Sequence, residues 1–284
     1  MKAWIGDGCT GRLVGPDAAV VSVMDHGFTV GDGVFETLKV TADGPFAMRR
    51  HLERLVASAA ALDLAAPDVQ HIRHACEQVV HANRDDVGAL ARLRITWTSG
   101  SAPLGSDRVD ADPTLVIAMM RQQPWPEATS AITIPQVRNP RSLLAGAKST
   151  SYGENVLALT RAHAQGASEA ILGTTDGHLC EGTGTNVFVI VDGAIWTPRL
   201  DSGCLAGITR ALVLQTSVVE EVEVGESVLR ECDGAAVLSS TRDVHPVSHV
   251  RLSDGSAREL GFDDPLIREA AAALAALYAQ TLNP

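Results

Sequence analysis

The chain has 284 residues, of which 45% are hydrophobic and 20% are charged, and its formal net charge is −11 at pH 7. This composition excludes intrinsic disorder, and the length is sufficient for one large core or two moderate ones. The acidic balance excludes a binding surface for duplex nucleic acid, which requires a basic patch, but it allows a small anionic ligand held by a few arginines.

Membrane and export signals are missing from this sequence. No apolar run approaches the length of a membrane span, and the first residues, MKAWIGDGCTG, lack the apolar core of a signal peptide. The five cysteines are odd in number and show no CxxC spacing, which favours reduced thiols. We therefore expect a cytoplasmic protein without membrane contact.

The first part of the chain mixes strand and helix patterns. Alternation or continuous apolar character predicts three strands, and apolar spacing predicts two helices. The predicted elements are strands at 34–40, 91–100 and 114–120 and helices at 51–62 and 68–82. Asp43 and Gly44 form a hairpin turn signal after the first strand. These elements predict an N-terminal α+β domain over 1–120.

A second domain is predicted beyond a short linker. Two prolines and a loss of periodicity in RQQPWPEATS indicate a linker at 121–130, followed by an α+β domain over 131–284. The predicted elements are strands at 131–137, 169–173, 178–182, 186–191 and 235–240, and helices at 152–164, after Arg210, and at the alanine-rich end.

Helix-start signals support two of these helices. Ser151 and Glu154 have the spacing of a capping box, and Asp264 with Pro265 is a favourable start for the last helix. Strands and helices do not alternate regularly, which predicts the α+β class in two domains.

One cation stands out in LLAGAKSTSYGENVLA, at 143–158. Lys148 is one of only three lysines among 23 basic residues, and it follows a run of small and apolar residues. A lysine amine becomes a nucleophile when burial or a neighbouring cation lowers its pKa, and unlike arginine it forms Schiff bases. The alternative explanation is a surface lysine at a junction between a strand and a helix.

Two other kinds of site are excluded by spacing. The segment around Lys148 has no adjacent Gly-Lys pair and no glycine five residues before Gly146, so it is not a phosphate-binding P-loop. The nine histidines show no HExxH or comparable spacing, so no metal site is predicted.

Four further segments occur in order around Lys148. They are GDGVFET at 31–37, HLERL at 51–55, CEGTGTNVFVI at 180–190 and LAGITR at 205–210. Together the five segments resemble the fold-type IV pyridoxal-phosphate enzymes, which include branched-chain and D-amino-acid aminotransferases and aminodeoxychorismate lyases. The resemblance implies a D-amino-acid aminotransferase-like architecture of two domains, with pyridoxal 5′-phosphate between the domains, and a homodimer.

The resemblance also implies the roles of individual residues. Lys148 would hold the cofactor as a Schiff base, and Glu181 would keep the pyridine nitrogen protonated so that the ring acts as an electron sink. The residues implied for the cofactor phosphate are Arg54, Gly207, Ile208, Thr209 and Ser240, with Ser239 and Thr241 as alternatives to Ser240. Without the resemblance, Arg54 would be interpreted as a solvated helix charge and Gly-Ile-Thr as an ordinary turn.

Within the family, three segments are most similar to aminodeoxychorismate lyases: RNP followed by LAGAK, TPRLDSGCLAGITR and SSTRDVHPV. Thr37 matches a threonine implicated in proton transfer in these lyases. Gly153 stands where branched-chain aminotransferases tend to have tyrosine. The resemblance thus implies a pyridoxal-phosphate-dependent 4-amino-4-deoxychorismate lyase, which releases pyruvate and yields 4-aminobenzoate for folate synthesis. Lys148 would remove a proton, and Thr37 would relay one.

The substrate is a small anionic amine, and its carboxylates require cationic ligands. Arg92 and Arg94 share the polar face of their predicted strand and suit carboxylates, although two solvent-facing arginines would give the same pattern. Arg108 and Arg242 are weaker candidates. The alternative activity is that of an aminotransferase using 2-oxoglutarate with a D-amino acid or a branched-chain amino acid, alone or together with lysis. A third hypothesis is a protein that binds the cofactor without turnover.

Overall fold

The structure is a computed structural model that describes all 284 residues, and contacts between their Cα atoms divide them into two compact units. Unit 1 comprises Met1–Gln123, Ala147–Tyr152 and Leu282–Pro284. Unit 2 comprises Pro124–Gly146 and Gly153–Thr281. The sequence placed its linker around the first of these divisions, but it did not anticipate that the chain returns to unit 1.

Unit 1 contains one antiparallel sheet of six strands and three helices. The strands are β1 (Ala3–Gly6), β2 (Gly11–Val14), β3 (Gly33–Thr41), β4 (Gly44–Pro45), β5 (Leu90–Thr98) and β6 (Leu115–Arg121). The helices are α1 (His26–Thr29), α2 (Met48–Ala61) and α3 (Val69–Val87). The strand order is β2-β1-β6-β5-β3-β4, so the long strands β3 and β5 are neighbours near one edge.

The core of unit 1 is formed by apolar side chains of this sheet and of helices α2 and α3. Leu38, Leu93 and Ile117 of the sheet are fully buried in one cluster with Leu52 and Ile72 of the helices. Burying a side chain of this size contributes about 1.5–3 kcal/mol. The alternating apolar positions of the sequence therefore set which face of each strand carries the helices.

Helix α3 begins where the sequence predicts but ends later. The carboxylate of Asp68 accepts hydrogen bonds from the backbone N–H groups of Gln70 and His71, at 2.8 and 3.1 Å, and thereby caps the helix. The helix continues beyond the predicted end at residue 82, because Asn83 and Val87 continue the buried face.

The segment Ala147–Tyr152 lies in unit 1, which differs from its predicted place in the C-terminal domain. Strand β4 pairs with only the last residues of β3, so the first residues of β3 have an open edge. The lysine segment covers this edge: the Phe35 N–H donates to the Lys148 carbonyl at 2.9 Å, and the Thr150 N–H donates to the Gly33 carbonyl at 2.7 Å. Long-range backbone pairing of this kind leaves no periodic signal in the sequence.

Unit 2 contains one mixed sheet of nine strands and three helices. The strands are β7 (Thr129–Thr133), β8 (Glu169–Gly173), β9 (Leu179–Gly182), β10 (Asn186–Val191), β11 (Ala194–Pro198), β12 (Val219–Val222), β13 (Gly234–Ser239), β14 (Asp243–Arg251) and β15 (Ala257–Glu259). The helices are α4 (Gly153–Ala164), α5 (Ile208–Thr216) and α6 (Pro265–Gln280). Eight strands follow the order β12-β11-β10-β13-β14-β7-β8-β9, and β15 pairs with β14.

Three local predictions in this part of the chain have different outcomes. Strand β7 ends before Pro135, which has no backbone N–H to donate to a sheet. The predicted capping box is wrong: the Ser151 hydroxyl donates to the Gly31 carbonyl at 3.0 Å, and α4 begins at Gly153. Asp264 caps α6 as predicted, accepting from the Leu266 N–H at 2.8 Å.

The two units together have the predicted α+β class, with helices and sheets that do not alternate along the chain. None of the helices combines the length and the apolar character that crossing a membrane requires.

Candidate functional site

The amine of Lys148 lies against aromatic rings of unit 1. Its Nζ is 4.4 Å from the centroid of the Phe35 ring and 5.9 Å from that of Tyr152, and these two rings meet edge to face at 5.2 Å. The backbone N–H of Lys148 donates to the Ser58 hydroxyl at 3.2 Å. Main-chain hydrogen bonds and ring contacts therefore fix the position of this half-buried lysine.

Thr37 and Arg94 are direct neighbours across strands β3 and β5. Such cross-strand pairs have their side chains on the same face of a sheet, and in β3 that face also carries Phe35, two residues before Thr37. The guanidinium carbon of Arg94 is 3.7 Å from the centroid of the Phe35 ring, which Lys148 also contacts. A hydroxyl, a guanidinium and an amine are thus grouped around one ring.

The other predicted carboxylate ligands are engaged elsewhere. Arg92 donates from Nε to Gln122 Oε1 at 2.8 Å, and its Nη2 contacts the same oxygen. Arg108 donates twice to Asp32, at 2.7 and 2.6 Å. Of these three arginines, only Arg94 shares an aromatic partner with Lys148.

Arg242, the last candidate, is also held by its own surroundings. Its guanidinium carbon is 3.9 Å from the centroid of the Trp125 ring, and it donates to the Thr129 hydroxyl and the Ser168 carbonyl, each at 3.2 Å. These partners explain Arg242 as a structural residue of unit 2.

Arg54 forms a bidentate ion pair with Glu36. Its Nε and Nη2 donate to the two Glu36 oxygens at 2.7 and 2.8 Å, and Nδ1 of His51 is 2.7 Å from Glu36 Oε2. The side chain of Glu36 is 0% exposed and that of His51 is 1% exposed. The three residues lie within GDGVFET and HLERL, but sequence reasoning selected only Arg54.

The protonation states of this cluster follow from its charges. Burial by itself would raise the pKa of Glu36, but the Arg54 guanidinium and His51 outweigh it and hold that pKa far below its usual 4.5. Burial lowers the pKa of His51 below 6.5, and the nearby cations Arg54 and Lys148 act in the same direction against the attraction of Glu36. We conclude that Glu36 is ionised and that neutral His51 donates to it from Nδ1.

Glu181 in unit 2 is held at both carboxylate oxygens. Its Oε2 accepts a hydrogen bond from the Leu205 N–H at 3.0 Å, and its Oε1 is 3.6 Å from Nη2 of Arg138. Arg138 also lies 3.5 Å from the exposed carboxylate of Glu154. Sequence reasoning missed Arg138, although it is the first residue of the RNP segment.

The start of helix α5 is shaped by Asn186, whose side-chain amide donates to the Leu205 carbonyl at 2.8 Å. A Cβ atom added to Gly207 would lie 1.8 Å from Oδ1 of Asn186, so only glycine fits at this position. No side chain caps the helix, which begins with Ile208 and Thr209. Uncapped amide groups and the positive end of a helix bind oxyanions well.

The turn between β13 and β14 distinguishes the candidate hydroxyl groups. The Ser239 hydroxyl accepts a hydrogen bond from the Arg242 N–H at 3.2 Å and so contributes to the turn itself. Ser240 and Thr241 follow in the turn and are half-buried. This geometry favours Ser240 or Thr241 over Ser239 as a ligand.

Comparison with known proteins gives a consistent family. Residues 33–250 match the model of the family described as amino-transferase class IV. The chain is 32% identical to a D-alanine aminotransferase of Listeria innocua over 90% of each chain. It is 33% identical to a bifunctional aminodeoxychorismate lyase / D-amino acid transaminase of Mycobacterium tuberculosis, over 64% of this chain and 65% of that one. A fold IV transaminase structure from Curtobacterium pusillum matches with a TM-score of 0.86 and 29% identity over 99% of each chain.

Proposed function

The chain belongs to the class IV aminotransferase family and is a pyridoxal-phosphate-dependent enzyme, and from this premise we propose that it is a 4-amino-4-deoxychorismate lyase. The observation that carries this proposal is the group around Phe35: the amine of Lys148, the guanidinium of Arg94 and, beside Arg94, the hydroxyl of Thr37. A base, a carboxylate ligand and a proton relay are the groups that elimination from an anionic amine requires.

The residues present fit the cofactor. When bound, pyridoxal phosphate supplies an aldehyde for the lysine amine and an electron-withdrawing ring. We propose that Lys148 provides that amine and that Glu181 holds a proton on the ring nitrogen. Gly207 leaves room for the Asn186 side chain at the uncapped helix start, which suits a phosphate. The proposed phosphate ligands are Arg54, Gly207, Ile208, Thr209 and Ser240.

The chain's own residues then account for the reaction. Arg94 binds a substrate carboxylate, and the Nζ of Lys148 takes the proton from the carbon that bears the amine. The carbon–oxygen bond on the adjacent carbon breaks, and the departing enolpyruvate receives a proton through Thr37 to become pyruvate. The remaining ring becomes aromatic 4-aminobenzoate, which supplies a large driving force.

D-amino-acid transamination is the second candidate, alone or alongside lysis. The relative from Listeria innocua is a D-alanine aminotransferase, and the relative from Mycobacterium tuberculosis is named for both activities. Both reactions begin with removal of a proton by the lysine, so Lys148 and Glu181 serve either one. They differ in whether a leaving group departs or the proton returns to the cofactor.

We also propose that the enzyme is a homodimer, as the family resemblance implies. Each unit exposes large apolar side chains that a second copy would cover: Val23, Phe28 and Leu104 in unit 1, and Leu143 and Val156 in unit 2. Light scattering should give twice the 29.9 kDa mass of one chain, and a monomer mass at micromolar concentration would contradict the dimer.

The deciding experiment supplies each substrate to the purified holoenzyme. Aminodeoxychorismate should yield 4-aminobenzoate and pyruvate in equal amounts, and Thr37→Ala should lower this rate roughly 100-fold. D-alanine with 2-oxoglutarate tests the second candidate. Turnover of D-alanine without any 4-aminobenzoate would overturn the lyase assignment.

Borohydride reduction tests the covalent link independently of the substrate. The adduct should appear on the peptide that contains Lys148 and be lost in Lys148→Ala. Lys2→Ala is the matched control, because Lys2 is an exposed lysine outside the site. An adduct on Lys2 or Lys39 in the unchanged protein would remove Lys148 from the mechanism.

A further inference from the structure

The buried carboxylate of Glu36 has no role in the reaction described above, yet both of its oxygens are occupied. Arg54 contacts one oxygen through Nε and the other through Nη2, and His51 contacts the second oxygen through Nδ1. An ionised carboxylate in an apolar interior is costly unless it is paired and hydrogen-bonded. The cluster therefore serves a purpose that an apolar residue at position 36 would not.

The geometry of the pair shows what Glu36 does to Arg54. Two parallel hydrogen bonds fix both the plane and the direction of a guanidinium, which a single contact would leave free to rotate. Only 13% of the Arg54 side chain is exposed. An arginine held in this way loses little conformational freedom when it binds an anion, because most of that freedom is already lost in the folded protein.

His51 completes the support of the carboxylate. As a neutral ring it donates from Nδ1 and adds no charge, so Glu36 and Arg54 remain a one-to-one pair. His51 and Arg54 lie three residues apart on α2 and therefore face the same side of the helix. One face of α2 thus binds both polar groups to strand β3.

The same face of α2 also contacts the lysine segment. Ser58, seven residues after His51, accepts a hydrogen bond from the Lys148 N–H, and Phe35, the residue before Glu36, donates to the Lys148 carbonyl. The pair formed by α2 and β3 consequently sets the positions of Arg54 and of the backbone of Lys148.

We propose that Glu36 is a positioning residue that aims the Arg54 guanidinium at the cofactor phosphate, with His51 holding the carboxylate in place. This inference rests on the proposed function, in which Arg54 is a phosphate ligand. It predicts that loss of the Glu36 charge weakens binding of the phosphate group selectively and leaves binding of the rest of the cofactor unchanged.

The test compares pyridoxal phosphate with pyridoxal, which has the same aldehyde and ring but no phosphate. Dissociation constants for both compounds are measured by absorbance titration of apoenzyme prepared from the holoenzyme. In Glu36→Gln the preference for pyridoxal phosphate should fall about 10- to 100-fold, with the affinity for pyridoxal unchanged. Glu53→Gln is the matched control, because Glu53 is an exposed glutamate of α2 that pairs with Arg49.

Arg54→Gln and Glu36→Asp complete the series. Arg54→Gln should abolish the preference for the phosphate, and Glu36→Asp, which keeps the charge on a shorter side chain, should give an intermediate preference. If the unchanged enzyme shows no preference, the phosphate role of Arg54 in the proposed function fails. If Arg54→Gln loses the preference but Glu36→Gln or, should that variant not fold, Glu36→Asp keeps all of it, the positioning role of Glu36 is overturned.

Discussion

Arg138 and Glu181 show how a reactive carboxylate is held by a residue that does no chemistry itself. One oxygen of Glu181 is fixed by the Leu205 backbone N–H and the other is paired with Arg138. A carboxylate with a donor on each oxygen has a defined plane, and the acid that pairs with a ring nitrogen requires that definition. Arg138 is thus a positioning residue for the proposed cofactor acid.

Replacing Arg138 by Gln should lower kcat/KM roughly 10- to 100-fold, because Glu181 loses the cation that fixes one oxygen. The visible absorbance band of the bound cofactor should shift as well, and Arg138→Lys should restore part of both. Glu154→Gln provides the control, since Glu154 also pairs with Arg138 but is exposed. Equal kinetics in Arg138→Gln and Glu154→Gln would show that Arg138 does not act on Glu181.

At the scale of an element, helix α5 has a start that depends on one glycine. The side chain of Asn186 occupies the space where a Cβ atom of residue 207 would lie, and it also holds the Leu205 carbonyl. The helix is left without a side-chain cap. Its first amide groups are therefore available for an anion only while residue 207 has no side chain.

Gly207→Ala should displace Asn186 and cost about 1–3 kcal/mol in unfolding free energy, as overpacking of a well-filled site typically does. The affinity for pyridoxal phosphate should fall in the same variant. Gly15→Ala is the control, since a Cβ atom at Gly15 meets nothing within 4 Å and its φ is −64°. Denaturant titration and cofactor titration check both effects, and a Gly207→Ala protein indistinguishable from Gly15→Ala would refute this account of the helix start.

At the scale of the whole molecule, the Glu36 cluster links stability to pH. The pKa values of Glu36 and His51 are both lower in the folded protein than their usual 4.5 and 6.5. The unfolded chain therefore binds more protons than the folded one as the pH falls through these values. Stability is fully present at neutral pH and decreases towards acid.

The unfolding free energy should fall as the pH drops below 6.5, through His51, and again below 4.5, through Glu36. Urea titrations across this range measure the effect. Glu36→Gln should cost about 3–5 kcal/mol at neutral pH, because Arg54 loses its buried partner, and should flatten the dependence at acid pH. An unchanged acid slope in Glu36→Gln would show that other carboxylates cause the loss.

The local chemistry of the site was predictable to the extent that it is written in short segments. GDGVFET, HLERL and the lysine segment are sufficient to select Thr37, Arg54 and Lys148, since each residue type is required by its proposed role. Glu36 and His51 lie in the same segments but were missed. Their importance comes from an ion pair between a strand and a helix, and neither residue type indicates its partner.

The sequence by itself determined the α+β class, most helices and strands, and the lysine on which the proposed chemistry depends. Apolar spacing and turn residues are local properties, and a rare lysine among arginines is visible in composition alone. Only the tertiary structure decided that the lysine segment pairs with β3, that Arg94 rather than Arg92 contacts the ring beside Lys148, and that Glu36 holds Arg54. These outcomes depend on hydrogen bonds, ring contacts and ion pairs between residues far apart in the chain, which become neighbours only when the chain folds.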